Sequence, residues 1–102
     1  MYNLEYLPLA RQDIVEIARY ISHDLANPTA AENLVEKIVT AINGLIKFPY
    51  RNRVYQPIRP LGREYRKLIV ENYIVFYSVD EEYKLITIAR VIYARRDYGQ
   101  LL

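Results

Sequence analysis

Tyr65-Arg66-Lys67-Leu68-Ile69-Val70-Glu71-Asn72-Tyr73-Ile74-Val75-Phe76-Tyr77-Ser78-Val79 is the stretch that decides the fold. Two runs rich in β-branched and aromatic residues are parted by Glu71-Asn72, a tight-turn composition. The spacing predicts strands over 65–70 and 73–79. Asp80-Glu81-Glu82 then turns the chain into a third strand over 84–93. Turns this short make the three an antiparallel meander. In the middle strand Tyr73, Val75, Tyr77 and Val79 face one way and Ile74 and Phe76 the other. The last strand sets Leu85, Ala89 and Val91 against Ile86, Ile88 and Ile92. A sheet with one wet face alternates apolar with polar residues, and this one is apolar on both faces. Either the chain's own 49–64 loop and C-terminal tail cover the second face, or another chain does.

Upstream of the meander, Tyr2–Leu7 alternates and reads as a short strand ended by Pro8. Over 9–25, Ile14, Ile17, Ala18, Ile21 and Leu25 recur at helical spacing. Asn27-Pro28 breaks that helix and starts another, with Asn27 as N-cap and Pro28 in the first helical position. Ala31, Leu34, Val35, Ile38, Ile42, Leu45 and Ile46 form the second stripe. It should end near Lys47, since Pro49 disfavours helix at Phe48. So short a break gives an antiparallel helical hairpin. The expected fold is α+β: strand-helix-helix-strand-strand-strand, an antiparallel sheet packed on one side by the hairpin, as a single domain over 1–102.

Composition narrows the chemistry. The chain has 102 residues, 52% apolar and 25% charged, ordinary for one globular domain. It lacks cysteine and has one histidine, His23. Disulfide frameworks, thiol nucleophiles and multi-histidine metal sites are therefore excluded. The three glycines, at 44, 62 and 99, form no phosphate-cradling loop. No cofactor and no metal are expected. Met1–Tyr6 shows no basic stretch followed by an apolar run, and no stretch has the roughly 18 apolar residues of a membrane helix, so the cytoplasm is the expected compartment. The net charge of +2 hides an asymmetry. Residues 1–50 carry −2 and residues 51–102 carry +4, and ten of the fourteen cations are arginine. Such a split points to an anionic partner for the second half.

At this point the residues carry a resemblance. The hairpin is followed by Phe48-Pro49-Tyr50-Arg51, then Tyr65-Arg66-Lys67-Leu68-Ile69-Val70, then Asn72-Tyr73-Ile74-Val75-Phe76-Tyr77. Ala89-Arg90-Val91-Ile92-Tyr93-Ala94-Arg95-Arg96-Asp97-Tyr98 closes the chain. Together they resemble the RelE/ParE toxin superfamily, over essentially the whole length. The resemblance implies the toxin of a bacterial type II toxin–antitoxin pair, silenced by a cognate antitoxin in a hetero-oligomer. The antitoxin would cover the second sheet face at Ile74, Phe76, Ile88 and Ile92.

The superfamily holds two chemistries. RelE-like members cleave messenger RNA on the ribosome; ParE-like members block DNA gyrase. Cleavage needs a base near the RNA 2′-hydroxyl, cations on the strained phosphate and an acid for the leaving oxygen. Tyr93, Arg90, Arg66 and Arg95 stand in the matching regions, with Glu64 a possible base. RelE-like members usually carry arginine directly after the tyrosine that opens the middle strand, and this chain has Ile74 there. That departure, the long hairpin and the Arg95-Arg96-Asp97 ending resemble the ParE-like branch. An inactive interaction module is a third reading. Arg51, Arg53, Arg59, Arg63 and Arg96 form a candidate rim for nucleic acid or target.

Each residue also has an architectural reading. Arg66 can pair with Glu64 or Glu71, and Arg90 with Asp97 or Glu64. Tyr93 can be a packed ring and His23 a helix-terminal cap.

Overall fold

The computed structural model describes residues 1–57, 61–96 and 98–102. Arg59, Asp97 and their proposed roles lie outside the described residues. The order is β1 (Asn3–Tyr6), α1 (Pro8–Arg19), a π-helical turn (Tyr20–Asp24), α2 (Pro28–Gly44), β2 (Arg66–Val70), β3 (Tyr73–Asp80), β4 (Leu85–Tyr93) and a 3₁₀ turn (Tyr98–Gln100).

Pro8 does more than end β1. It occupies the first turn of α1 behind an extended Leu7, where its missing N–H is no loss. The first helix keeps its inward stripe, but its last turn widens to π geometry and Leu25 N–H reaches back to Tyr20 O at 3.1 Å. Ala26, at φ 49°, then reverses the chain. Asn27 caps α2 as expected, its side chain accepting from Ala30 N–H at 3.1 Å. The second helix ends at Gly44, short of Lys47. Leu45–Lys47 continue as a tightened turn whose N–H groups reach the carbonyls of Ile42, Asn43 and Gly44.

The four strands lie in the order β1-β4-β3-β2. The meander β2-β3-β4 is antiparallel, but β1 runs parallel to β4, pairing Asn3–Tyr6 with Leu85–Ile88. The all-antiparallel expectation is corrected there: the helical hairpin returns the chain to β2, at the far edge from β1, and the meander brings β4 back beside β1 in the same direction. A bridge between Val54 and Arg66 lays the preceding loop along the outer edge of β2, with Tyr55 N–H on Tyr65 O at 2.7 Å.

The core lies between the hairpin and one sheet face: Ala10, Leu34, Ile38, Ile42 and Leu45 against Val75, Tyr77, Ile86, Ile88 and Val91. Ile88 therefore belongs to the helix side. A β-bulge between Phe76 and Tyr77, which pair with Arg90 and Ile88, leaves Ala89 as an extra residue in β4. The bulge resets the alternation, so Ile86, Ile88 and Val91 share one face. The second face carries a smaller cluster of Ile74, Phe76 and Ile92, covered by Tyr55, Tyr65, Tyr98, Leu101 and Leu102. Loop and tail close it, the first of the two alternatives.

Tyr77 ties the layers together. It is fully buried, donates to Pro49 O at 2.7 Å and accepts from Asn52 Nδ2 at 3.2 Å. Tyr77→Phe keeps the ring but strands a buried carbonyl. It should cost about 1–3 kcal/mol in urea unfolding; an unchanged midpoint would show that the hydroxyl is idle.

Candidate functional site

The four residues proposed for RNA cleavage do not form one constellation. Arg90 follows the bulge and reaches around β4 to α1. Its Nε donates to Asp13 Oδ2 at 2.7 Å, its Nη2 to Asp13 Oδ1 at 2.9 Å, and its Nη1 to Leu101 O at 3.0 Å. Neither side chain is more than one-sixth exposed. The Asp13 carboxylate holds Arg90 even more firmly in its charged form than usual. Asp13 also accepts from Val91 N–H at 2.9 Å. The carboxylate that Arg90 meets among the described residues is thus Asp13 of α1 and not Glu64.

Arg66 is committed as well. Its Nη1 donates to Asn52 O at 2.7 Å and more weakly to Tyr50 O at 3.3 Å, its guanidinium lies 5.0 Å from the Tyr50 ring centre, and Glu64 stands 3.8 Å away. It opposes Tyr77, whereas Tyr93 opposes Tyr73. The two are therefore separated by four residues along the strands and by two strand spacings, roughly 13 Å by roughly 10 Å. Tyr93 is half-exposed and meets Tyr73 edge-to-face at 5.6 Å. Among the described residues no cation or hydrogen-bond partner touches its side chain. Arg95 and Arg96 are exposed beyond β4, and Arg51, Arg53 and Arg63 are exposed in the long loop.

Two concavities flank the sheet. A polar cleft of 480 Å³ is lined by Tyr50, Arg63, Glu64, Arg66, Ser78, Asp80, Glu81 and Thr87, among others. It brings two guanidiniums against three carboxylates, a poor lining for a polyanion. The second is a groove of 690 Å³ at the end of the hairpin where its two helices join. Ile17, Tyr20, Ile21 and Leu25 line it from the first helix and its π turn, Leu34 from α2, and Tyr73, Val91 and Tyr93 from the sheet. Glu16, Glu71 and Arg96 are among its polar residues. Tyr20 and Leu25 leave about half their surface open to solvent.

Beside the polar cleft, Glu81 gathers Tyr2, Tyr50 and Lys84. Tyr2 donates to it at 2.6 Å, Tyr50 and Lys84 donate to it too, and Lys84 lies over the Tyr2 ring. Lys84 first, then the two hydroxyls, hold the Glu81 carboxyl down at about 2. Donation to Glu81 pushes the Tyr50 hydroxyl up to about 12. A lowered folded-state value stabilises above the ordinary carboxylate value of 4.5, and that contribution disappears as pH falls through 2. Wild type should therefore exceed Glu81→Gln in melting temperature at pH 7 and lose the advantage by pH 2. An advantage that persists in acid would show that Glu81 acts by shape alone.

Sequence reading missed Asp13 and Glu81. Asp13 carried a signal, since it falls three residues after Ala10 and four before Ile17, on the apolar stripe of α1. Glu81 showed only Lys84 three residues on, because Tyr2 and Tyr50 are brought to it from two distant segments.

Residues 4–98 match the family described as the ParE toxin of type II toxin–antitoxin system, parDE. No curated protein matches significantly. The fold is similar to a chain of the chromosomal ParDE toxin–antitoxin system from P. aeruginosa, at TM-score 0.73 and 21% identity over 93% of this chain and 98% of that one. It is also similar to a chain of the toxin–antitoxin complex RelBE2 from Mycobacterium tuberculosis, at TM-score 0.57 and 20% identity over 90% and 96%.

Proposed function

Because the chain belongs to the ParE toxin family of type II toxin–antitoxin systems, we propose that it arrests growth by binding and blocking DNA gyrase, without cutting RNA, and that a cognate antitoxin neutralises it. The observation that carries this reading is Arg90. In a nuclease it would have to offer its guanidinium to a phosphate; here Asp13 and Leu101 O take three of its donors. Arg66 is likewise turned to backbone carbonyls. The Tyr93 ring packs edge-to-face on Tyr73, and its hydroxyl has no hydrogen-bond partner among the described residues.

A blocking toxin needs only a stable shape and exposed side chains. The exposed arginines Arg51, Arg53, Arg63, Arg95 and Arg96 then serve target contact rather than catalysis. The antitoxin partner is supported by the neighbouring structures, both of toxin–antitoxin systems.

The reading is tested by two assays on one preparation. Purified protein should inhibit supercoiling by gyrase and leave ribosome-bound message uncut in primer extension. A cut message, abolished by Tyr93→Phe, with unimpaired supercoiling would reject it in favour of the RelE-like alternative.

A further inference from the structure

The outer surface of the hairpin, turned away from the sheet, carries a shallow furrow of 850 Å³ between its two helices. Ala18 and Ser22 line it from the first helix and its π turn, and Pro28, Glu32, Val35 and Val39 from α2, among others. Val15 continues the stripe along α1, where it is 53% exposed; Val39 is 36% exposed. Val15, Ala18 and Ser22 step by three and four residues, and so do Pro28, Glu32, Val35 and Val39. That spacing holds each set on one side of its helix and suits helices packed side by side. The stripe is separate from the groove beside the sheet. Glu16 and Tyr20 line that groove, and Ala18, two residues from either, stands about 200° around the helix from both.

The charges that border the stripe have a pattern. Arg19 lies on α1, and Glu32 and Glu36 lie on α2; all three are exposed. None of them forms an ion pair among the described residues. An unpaired cation on one helix and unpaired anions on the next fit a surface with the reverse arrangement. A second copy of this chain, turned by a two-fold axis parallel to the helices, presents that reverse: its first helix lies over α2 and its second over α1. An all-acidic or all-basic partner would match one helix and oppose the other. A two-fold axis across the helices would instead lay α1 on α1 and carry Arg19 away from the glutamates.

We propose that the outer face of the hairpin is a self-association surface, through which two copies pack hairpin on hairpin as a four-helix layer. Val15, Val35 and Val39 form its apolar centre. Arg19 meets Glu32 and Glu36 of the partner subunit, once on each side of the axis. Both sheets then lie on the far sides of the dimer, and the groove beside each sheet stays open.

The test is sedimentation equilibrium of the purified wild-type chain alone. A reversible dimer is expected at about 100 μM chain, below the millimolar range of incidental contacts. Arg19→Glu, and separately Glu32→Lys/Glu36→Lys, should each weaken dimerisation at least tenfold. The three substitutions together should restore it, which separates lost pairing from misfolding. Val15→Asp/Val39→Asp should also weaken it at least tenfold, while Tyr20→Asp, in the groove beside the sheet, should leave it unchanged. A wild-type chain that stays monomeric at this concentration overturns the proposal. So does a dimer that the charge and valine substitutions leave intact.

Discussion

Asp13→Ala should destabilise the folded chain by about 3–5 kcal/mol, the cost of leaving a buried charge without its partner. For a domain of this size each kcal/mol moves the melting temperature by about 4–8 °C, so the variant should melt at least about 12 °C lower. The reason is geometric. Asp13 takes two donors from Arg90 and one from Val91 N–H, at 2.7, 2.9 and 2.9 Å. Its loss orphans a guanidinium and a strand amide together. Arg90→Ala should cost a similar amount, since it orphans the carboxylate and frees Leu101 O. Asp13→Leu combined with Arg90→Met removes both charges and should recover a large part of the loss. Thermal and urea unfolding of the four proteins checks this. Single variants within 1 kcal/mol of wild type would mean that Arg90 is available for other work.

Phe76→Ala should cost about 3–5 kcal/mol, as expected for a fully buried aromatic ring. Phe76 is on the face away from the helices, where a partner was the alternative explanation. Its ring meets Tyr55 at 5.4 Å and Tyr98 at 5.2 Å, and Leu101 and Leu102 pack on the same cluster. Tyr98→Ala, which removes only a lid residue, should cost less, about 1–3 kcal/mol. If the lone protein tolerated Phe76→Ala without loss, the tail would not close this face.

The helical hairpin and the meander were legible because their signals are local. Asn27-Pro28 marks the break between helices, and Glu71-Asn72 the β2–β3 turn. The boundaries of β2, β3 and β4 fall within one residue of the alternation read from sequence. What was illegible depends on residues far apart in the chain. The parallel pairing of β1 with β4 joins the first strand to the last. The bulge at Ala89 shows only when β3 and β4 are laid in register, and it moves Ile88 to the helix face. Arg90 had nearby acids to choose from in sequence, yet its partner lies 77 positions away. The proposed catalytic set looked plausible as a list of residue types and regions. In space, register separates Arg66 from Tyr93 and pairing removes Arg90.

The most direct measurement is DNA gyrase supercoiling of relaxed plasmid, with the purified chain titrated to molar excess over the enzyme. A toxin that blocks gyrase gives progressive loss of supercoiled product, reversed when antitoxin is added. Full supercoiling at saturating toxin would contradict it.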